Sequence, residues 1–157
     1  MVESLSRENT HQILRQQALK YLTRREYSAK ELQQKLVLKG FDSELVKAQI
    51  EELGRQGLQS DSRFAENYMR FRREKGFGPI RIQQELQQRG VSQELIELHT
   101  AINDPQWLDY LKKVRDKRFG DGKAQDLQQR SQQIRYLLYR GFSQNQIERL
   151  IAADDGG

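Results

Sequence analysis

Glu31-Leu32-Gln33-Gln34-Lys35-Leu36-Val37-Leu38-Lys39-Gly40-Phe41-Asp42 describes a helix that halts on a glycine and is followed at once by a helix start. The same pattern returns as Arg81-Ile82-Gln83-Gln84-Glu85-Leu86-Gln87-Gln88-Arg89-Gly90-Val91-Ser92 and as Gln132-Gln133-Ile134-Arg135-Tyr136-Leu137-Leu138-Tyr139-Arg140-Gly141-Phe142-Ser143. The glycines at 40, 90 and 141 set a period near 50, which marks a repeat architecture. Each glycine tolerates the left-handed conformation that ends a helix. Lys39, Arg89 and Arg140 precede it, at the negative end of the helix dipole. In a Schellman ending the residue after the glycine packs back, pairing Phe41 with Leu36, Val91 with Leu86 and Phe142 with Leu137. Asp42, Ser92 and Ser143 then cap the next helix.

A further helix is expected upstream of each pair. Apolar stripes predict helices over 11–25 (Leu14, Ala18, Tyr21, Leu22), 61–75 (Phe64, Ala65, Tyr68, Phe71) and 105–118 (Trp107, Leu108, Leu111, Val114). Ser28-Ala29-Lys30-Glu31 is a capping box, and Pro79 and Pro105 suit the first position of a helix. No strand pattern emerges. The expected fold is all-α, an elongated tandem array of three three-helix repeats over 10–58, 59–104 and 105–153. Flexible tails are expected at 1–9 and 154–157, with Asp154 and Asp155 solvated, and a longer loop at Gly120-Asp121-Gly122. Three short helices bury little alone, so neighbouring triplets are expected to share a core, and the concave side of the array would suit a long, continuous target.

Composition narrows the function. Of 157 residues, 36% are hydrophobic and 31% charged, against usual values of about 45–50% and 25%. The net charge of +5 is compatible with an acidic partner, protein or nucleic acid. The absence of cysteine excludes disulfides and thiolate chemistry, and two distant histidines, His11 and His99, make a poor metal site. No apolar run approaches the ~18 residues of a membrane span, and the polar start has no signal-peptide stretch, so a soluble, cytoplasmic protein is expected. Phosphate-loop, dinucleotide, zinc-protease and serine-hydrolase motifs are missing; Gly76-Phe77-Gly78 lacks a third glycine and a preceding strand. No enzyme, cofactor or metal is expected, and the functional hypotheses are binding hypotheses.

Two basic runs stand out. Arg70, Arg72, Arg73 and Lys75 form one; Lys112, Lys113, Arg115, Lys117 and Arg118 form the other. Either is a solvated helix face or an electrostatic surface. Arg72 sits at the edge of the apolar stripe, where an ion pair with Asp61 or Glu85 competes with a partner contact. Arg81 falls in the first turn of a helix, where the dipole disfavours a cation, which hints at a partner outside the helix. Phe77 and Trp107 read as core, and Lys39, Arg89 and Arg140 could form a ladder along one face.

The stretch Gly57-Leu58-Gln59-Ser60-Asp61-Ser62-Arg63-Phe64-Ala65, then Arg72, then Lys75-Gly76-Phe77-Gly78, then Arg81 through Val91, resembles the signature of the RecX family of bacterial recombination regulators. That family usually has an aliphatic residue where Gln59 stands and an acidic one where Ser60 stands. The resemblance implies a non-catalytic regulator, and the chain is expected to be a monomer. It would bind the RecA recombinase as its filament on single-stranded DNA, lodge in the filament groove, and restrain ATP hydrolysis, strand exchange and the co-protease activity behind the SOS response. Weak direct contact with DNA is compatible with it. Arg63, Arg72, Lys75 and Arg81 match the family pattern, and Arg70, Arg73, Lys39 and Arg89 complete the candidate partner-binding set. Two other readings stay open: a DNA-binding helical-repeat protein acting without RecA, and a helical adaptor for another acidic protein.

Overall fold

The computed structural model describes residues 2–156. Among them lie nine helices and no strand: α1 Val2–Arg24, α2 Ala29–Leu38, α3 Ser43–Arg55, α4 Asp61–Glu74, α5 Pro79–Gln88, α6 Gln93–Thr100, α7 Gln106–Phe119, α8 Leu127–Arg140 and α9 Gln144–Gly156. They form three successive triplets. The Schellman bonds expected from the glycines are present: Phe41 N to Leu36 O at 3.3 Å, Val91 N to Leu86 O at 3.1 Å and Phe142 N to Leu137 O at 3.2 Å. Gly40, Gly90 and Gly141 all have φ near +80 to +100°, which costs any residue with a Cβ about 1–2 kcal/mol. Ser28 and Glu31 close their capping box, and the Asp42, Ser92 and Ser143 side chains accept from the first turns of α3, α6 and α9.

Helix limits differ from the sequence expectation at both ends of the chain. α1 begins at Val2, so the arm expected over 1–9 is helical from there; its upstream turns carry no apolar stripe for periodicity to detect. At the other end α9 runs on to Gly156. Asp154 is not solvated but pairs with Arg115, and Asp155 lies 3.4 Å from Arg130. Met1 and Gly157 lie outside the described residues. Pro105 takes helical angles one residue before α7, whose first turn is capped by Asp104 accepting from Gln106 N at 2.9 Å.

The surface, 10319 Å², exceeds the roughly 8,200 Å² of a compact monomer of 18.5 kDa, as an elongated array requires. Its interior is divided unequally. Repeats 2 and 3 share one core, in which Phe64, Ile82, Leu86, Val91 and Ile96 meet Trp107, Leu111, Leu137, Phe142 and Ile147. Each such buried side chain contributes about 1.5–3 kcal/mol. Repeat 1 keeps a separate core of Leu14, Ala18, Leu32, Leu36, Val46, Ile50 and Leu53. Core sharing between neighbours, expected throughout, therefore holds only for the second junction.

The first junction is polar. Ser28 Oγ donates to Arg89 O at 2.7 Å, Lys30 Nζ to Gln88 O at 3.1 Å, and Ala29 N to Asp61 Oδ1 at 2.8 Å. Gln59 donates to Tyr27 O and to Asp61, and Arg63 Nε pairs with Glu26 at 2.9 Å. Gln59, atypical for the family pattern, thus ties repeat 2 to repeat 1, while Ser60 caps α4 by accepting from Arg63 N. At the second junction backbone meets backbone: Gly78 N donates to Arg140 O at 2.8 Å and Ile80 N to Gly141 O at 2.9 Å.

Gly78 has φ −88°, which any residue can adopt, yet a Cβ there would strike the peptide joining Gly141 to Phe142. Gly78→Ala is expected to cost about 1–3 kcal/mol by overpacking. Gly54, inside α3, would place its Cβ no nearer than 3.8 Å to Gln59, so Gly54→Ala should instead add about 0.5–1 kcal/mol. Urea unfolding of the two variants should show opposite signs.

Candidate functional site

The two basic runs converge. The end of α4 supplies Arg73 and Lys75, α7 supplies Lys113, Lys117 and Arg118, and α8 supplies Arg140; together with Tyr110, Val114 and Tyr136 they line an open groove of ≈ 530 Å³. Glu74 is the one carboxylate in its wall. Helix periodicity explains the placement. α7 turns Trp107, Leu111 and Arg115 into the core, which leaves Lys113 and Lys117 exposed on its other side. α4 ends at Glu74, and past Gly76 the Phe77 N bonds back to Arg72 O at 3.1 Å. The carbonyls freed there receive the Arg140 guanidinium, which donates to Gly76 O at 3.0 Å and to Lys75 O.

Aromatic faces organise the cations. The Arg73 guanidinium lies 4.3 Å from the Tyr110 ring centre, the Lys113 ammonium 5.4 Å from the same ring, and Arg118 5.6 Å from Tyr136. Arg140 lies 4.0 Å from Phe77. Such contacts contribute about 0.5–1 kcal/mol each when exposed and hold the charges in place without neutralising them. Six cations facing one carboxylate attract phosphates or acidic side chains.

The candidate residues separate into two groups. Arg73 and Lys75 line the groove, and Lys39 is exposed at the far end of repeat 1. The others have partners within the chain. Arg72 donates twice to Glu85, at 2.9 Å each, and Arg81 lies 3.5 Å from the same carboxylate. Arg63 pairs with Glu26 across the first junction; Arg89 lies 3.7 Å from Glu31 and donates to Glu85 O; Arg70 pairs with Glu66 along α4. Lys39, Arg89 and Arg140, which complement helix ends, do not also line up as a ladder, because Arg89 enters the first junction and Arg140 the groove. Arg115, read as part of a surface run, is 1% exposed and held by Asp116 and Asp154. Lys113, Lys117, Arg118, Tyr110 and Tyr136 were absent from the candidate set, although the run at 112–118 signalled three of them. Phe77 is half-buried with the Arg72, Arg81 and Arg140 guanidiniums 3.8, 4.5 and 4.0 Å from its centre, and Trp107 is core, its Nε1 donating to Thr100 O.

Glu85 is the hub that gathers Arg72, Arg81 and Tyr68. Burial acts to raise its pKa, but hydrogen bonds from Arg72 and Tyr68 and the charges of Arg72 and Arg81 outweigh it and hold the carboxyl below its ordinary range. Tyr68 is pushed up to about 12, by burial first and then by its hydrogen bond to Glu85. A depressed carboxylate stabilises the fold above its unfolded pKa of about 4.3, and that contribution disappears as pH falls through the folded value. Glu85→Gln should therefore melt lower than the parent chain at pH 7, with the gap in Tm narrowing steadily below about pH 4.3. The phenol of Tyr68 acts in the opposite direction, stabilising below about pH 10 and losing its contribution as pH rises through its folded value, so one tyrosine should ionise last in an absorbance titration.

Comparison with known proteins agrees with this architecture. Family models for the first, second and third three-helix domains of RecX match residues 15–53, 60–98 and 104–151. The chain is 40% identical over 142 residues to the regulatory protein RecX of Halorhodospira halophila, covering 90% of this chain and 88% of the relative. It is 41% identical over 133 residues to that of Legionella pneumophila, covering 85% and 89%. The crystal structure of RecX from Lactobacillus salivarius superposes with a TM-score of 0.81 over 96% of this chain and 99% of that one, at 20% identity, a likeness of fold. With three domain models in order along a nine-helix array, and relatives matched over nearly their whole length, the chain belongs to the RecX family of regulatory proteins.

Proposed function

We propose that this protein binds the RecA filament assembled on DNA and restrains its ATPase, strand-exchange and co-protease activities, and so acts in DNA repair, recombination and the SOS response. Family membership supports the regulatory role. The observation that carries the binding mode is the convergence of the 70–75 and 112–118 runs on one groove. Arg73 and Lys75 remain contact residues in this reading; Lys113, Lys117 and Arg118 join them. Arg63, Arg72, Arg81 and Arg89 act through the rigidity of the surface. An elongated monomer with its cations along one groove suits a polymer that repeats the same acidic features. No helix among the described residues is long and apolar enough to cross a membrane, and the proposed site of action is the cytoplasm, where RecA and DNA are.

The tyrosine-lined groove also favours direct contact with DNA phosphates in the absence of RecA. That reading predicts binding to single strands whose logarithm falls with the logarithm of salt, by about 0.7 per phosphate contacted.

At stoichiometric amounts the protein should inhibit RecA ATP hydrolysis on single-stranded DNA; unaltered hydrolysis would remove the proposal. Lys113→Glu with Lys117→Glu should weaken inhibition while unfolding within about 2 kcal/mol of the parent, because both side chains are exposed and only the Lys113 contact with Tyr110 is lost. Arg73, packed over Tyr110 with its Nε buried and unpaired, is a poorer test of charge alone. If the double variant inhibits like the parent chain, the contact lies on another face.

A further inference from the structure

The walls of the basic groove belong to different repeats. Arg73 and Lys75 stand at the end of α4 in repeat 2, and Lys113, Lys117 and Arg118 stand on α7 in repeat 3. Like charges on facing walls repel each other. The apolar core beneath joins the two repeats, but contacts of that kind are non-directional. Backbone bonds from Gly78 N to Arg140 O and from Ile80 N to Gly141 O fix the start of α5. The end of α4, which carries the two cations, is tied separately. Arg73 lies over Tyr110 of α7, and among the described residues both hydrogen bonds that join this end to repeat 3 come from one side chain, Arg140. Its Nε donates to Gly76 O at 3.0 Å and its Nη2 to Lys75 O.

The chain is shaped to receive that guanidinium. Gly76 has φ +90°, and a Cβ on it would lie 2.8 Å from Arg140 Nη2 and 3.3 Å from Val114 Cγ2. Phe77 offers a ring 4.0 Å away. The accepting carbonyls stand at the negative end of the α4 dipole, where a cation is favoured. They carry no net charge, so the charge of Arg140 stays in the groove instead of being cancelled. Arg89, before the corresponding glycine of repeat 2, meets the Glu31 carboxylate at 3.7 Å and the Glu85 carbonyl of its own helix instead. A Cβ on Gly78 would strike the peptide joining Gly141 to Phe142. Gly76-Phe77-Gly78, which makes no dinucleotide site, is therefore the seat of the Arg140-Gly141-Phe142 turn.

We propose that Arg140 is a positioning residue for recognition in the groove. By holding the carbonyls of Lys75 and Gly76 it sets the separation of the two cationic walls, and so places Arg73 and Lys75 opposite Lys113, Lys117 and Arg118. The inference rests on the reading of the groove as the contact surface for the RecA filament. Lysine does not replace this arginine, because a single ammonium on a flexible stem lacks the planar fork that donates to two carbonyls while lying on Phe77. Geometry at position 140, not its charge alone, is what the groove requires.

The test has two arms, both on the full chain at a temperature where circular dichroism shows every variant folded. In the first, exposed Arg70 on α4 and exposed Lys112 on α7 are replaced by cysteine, in a chain that has none, and carry spin labels. The parent should give one narrow distance and Arg140→Lys a broader, shifted one. Gly76→Ala, which evicts the guanidinium while keeping Arg140, should do the same. In the second arm, Arg140→Lys and Arg140→Gln should lose inhibition of RecA ATP hydrolysis on single-stranded DNA by the same several-fold factor. A side chain that only stabilised the fold would lower Tm and leave inhibition by the folded protein unchanged. An unaltered distance in Arg140→Lys would overturn the inference, and so would parent-like inhibition by it, which would make position 140 a bare charge. The first arm needs no RecA, so the two failures are distinguishable: a parent chain without effect on hydrolysis removes the reading of the groove, whereas an unaltered distance removes the role of Arg140.

Discussion

A single stereochemical constraint organises this molecule: a residue with positive φ must stand where the second helix of each triplet stops. Glycine meets it at 40, 90 and 141, and the turn it permits serves two ends. It folds Phe41, Val91 or Phe142 back toward the helix just completed and launches the next helix at a set angle. It also exposes a bare carbonyl and a surface without a Cβ, and Gly90 and Gly141 use these to seat one triplet on another. Helix termination and repeat stacking are thus one event, and an L-residue at Gly141 would meet backbone strain and the Arg81 side chain together.

The two junctions nevertheless differ in kind. Repeats 2 and 3 join through aromatic and aliphatic burial around Trp107 and Phe142, an interaction that salt scarcely touches. Repeat 1 joins through hydrogen bonds and through the Arg63 to Glu26 and Arg89 to Glu31 pairs, which water can replace and salt can screen. The array is therefore a two-repeat body with a single-repeat arm, and the groove lies wholly within the body. The geometry of the groove therefore depends on contacts within repeats 2 and 3.

Charge alone does not separate structural from functional cations in such a protein. Arg72 and Arg73 are neighbours in the chain, yet one is tied twice to Glu85 while the other faces an open groove. One residue of helical rotation, about 100°, accounts for the difference. Arg115 and Lys117 show the same division within α7, where a buried guanidinium balanced by two aspartates sits two positions from an exposed ammonium. Matching a family pattern did not distinguish these fates either: Arg63, Arg72 and Arg81 match it and are engaged by carboxylates of this same chain.

Residue order along the chain suffices for the all-helical class, the three copies, the glycine stops and their caps, because each depends on interactions within about five residues. It also exposed the two basic runs, since charge density along a helix is local. Three-dimensional packing, by contrast, makes one junction apolar, sets Asp154 against Arg115 rather than leaving it to fray, and brings runs about 40 residues apart face to face across Tyr110 and Tyr136. Those outcomes depend on how helices from different repeats are rotated against one another. That rotation is set by the packing of Trp107, Phe142 and Gly78 taken together, and no single stretch of the chain encodes it.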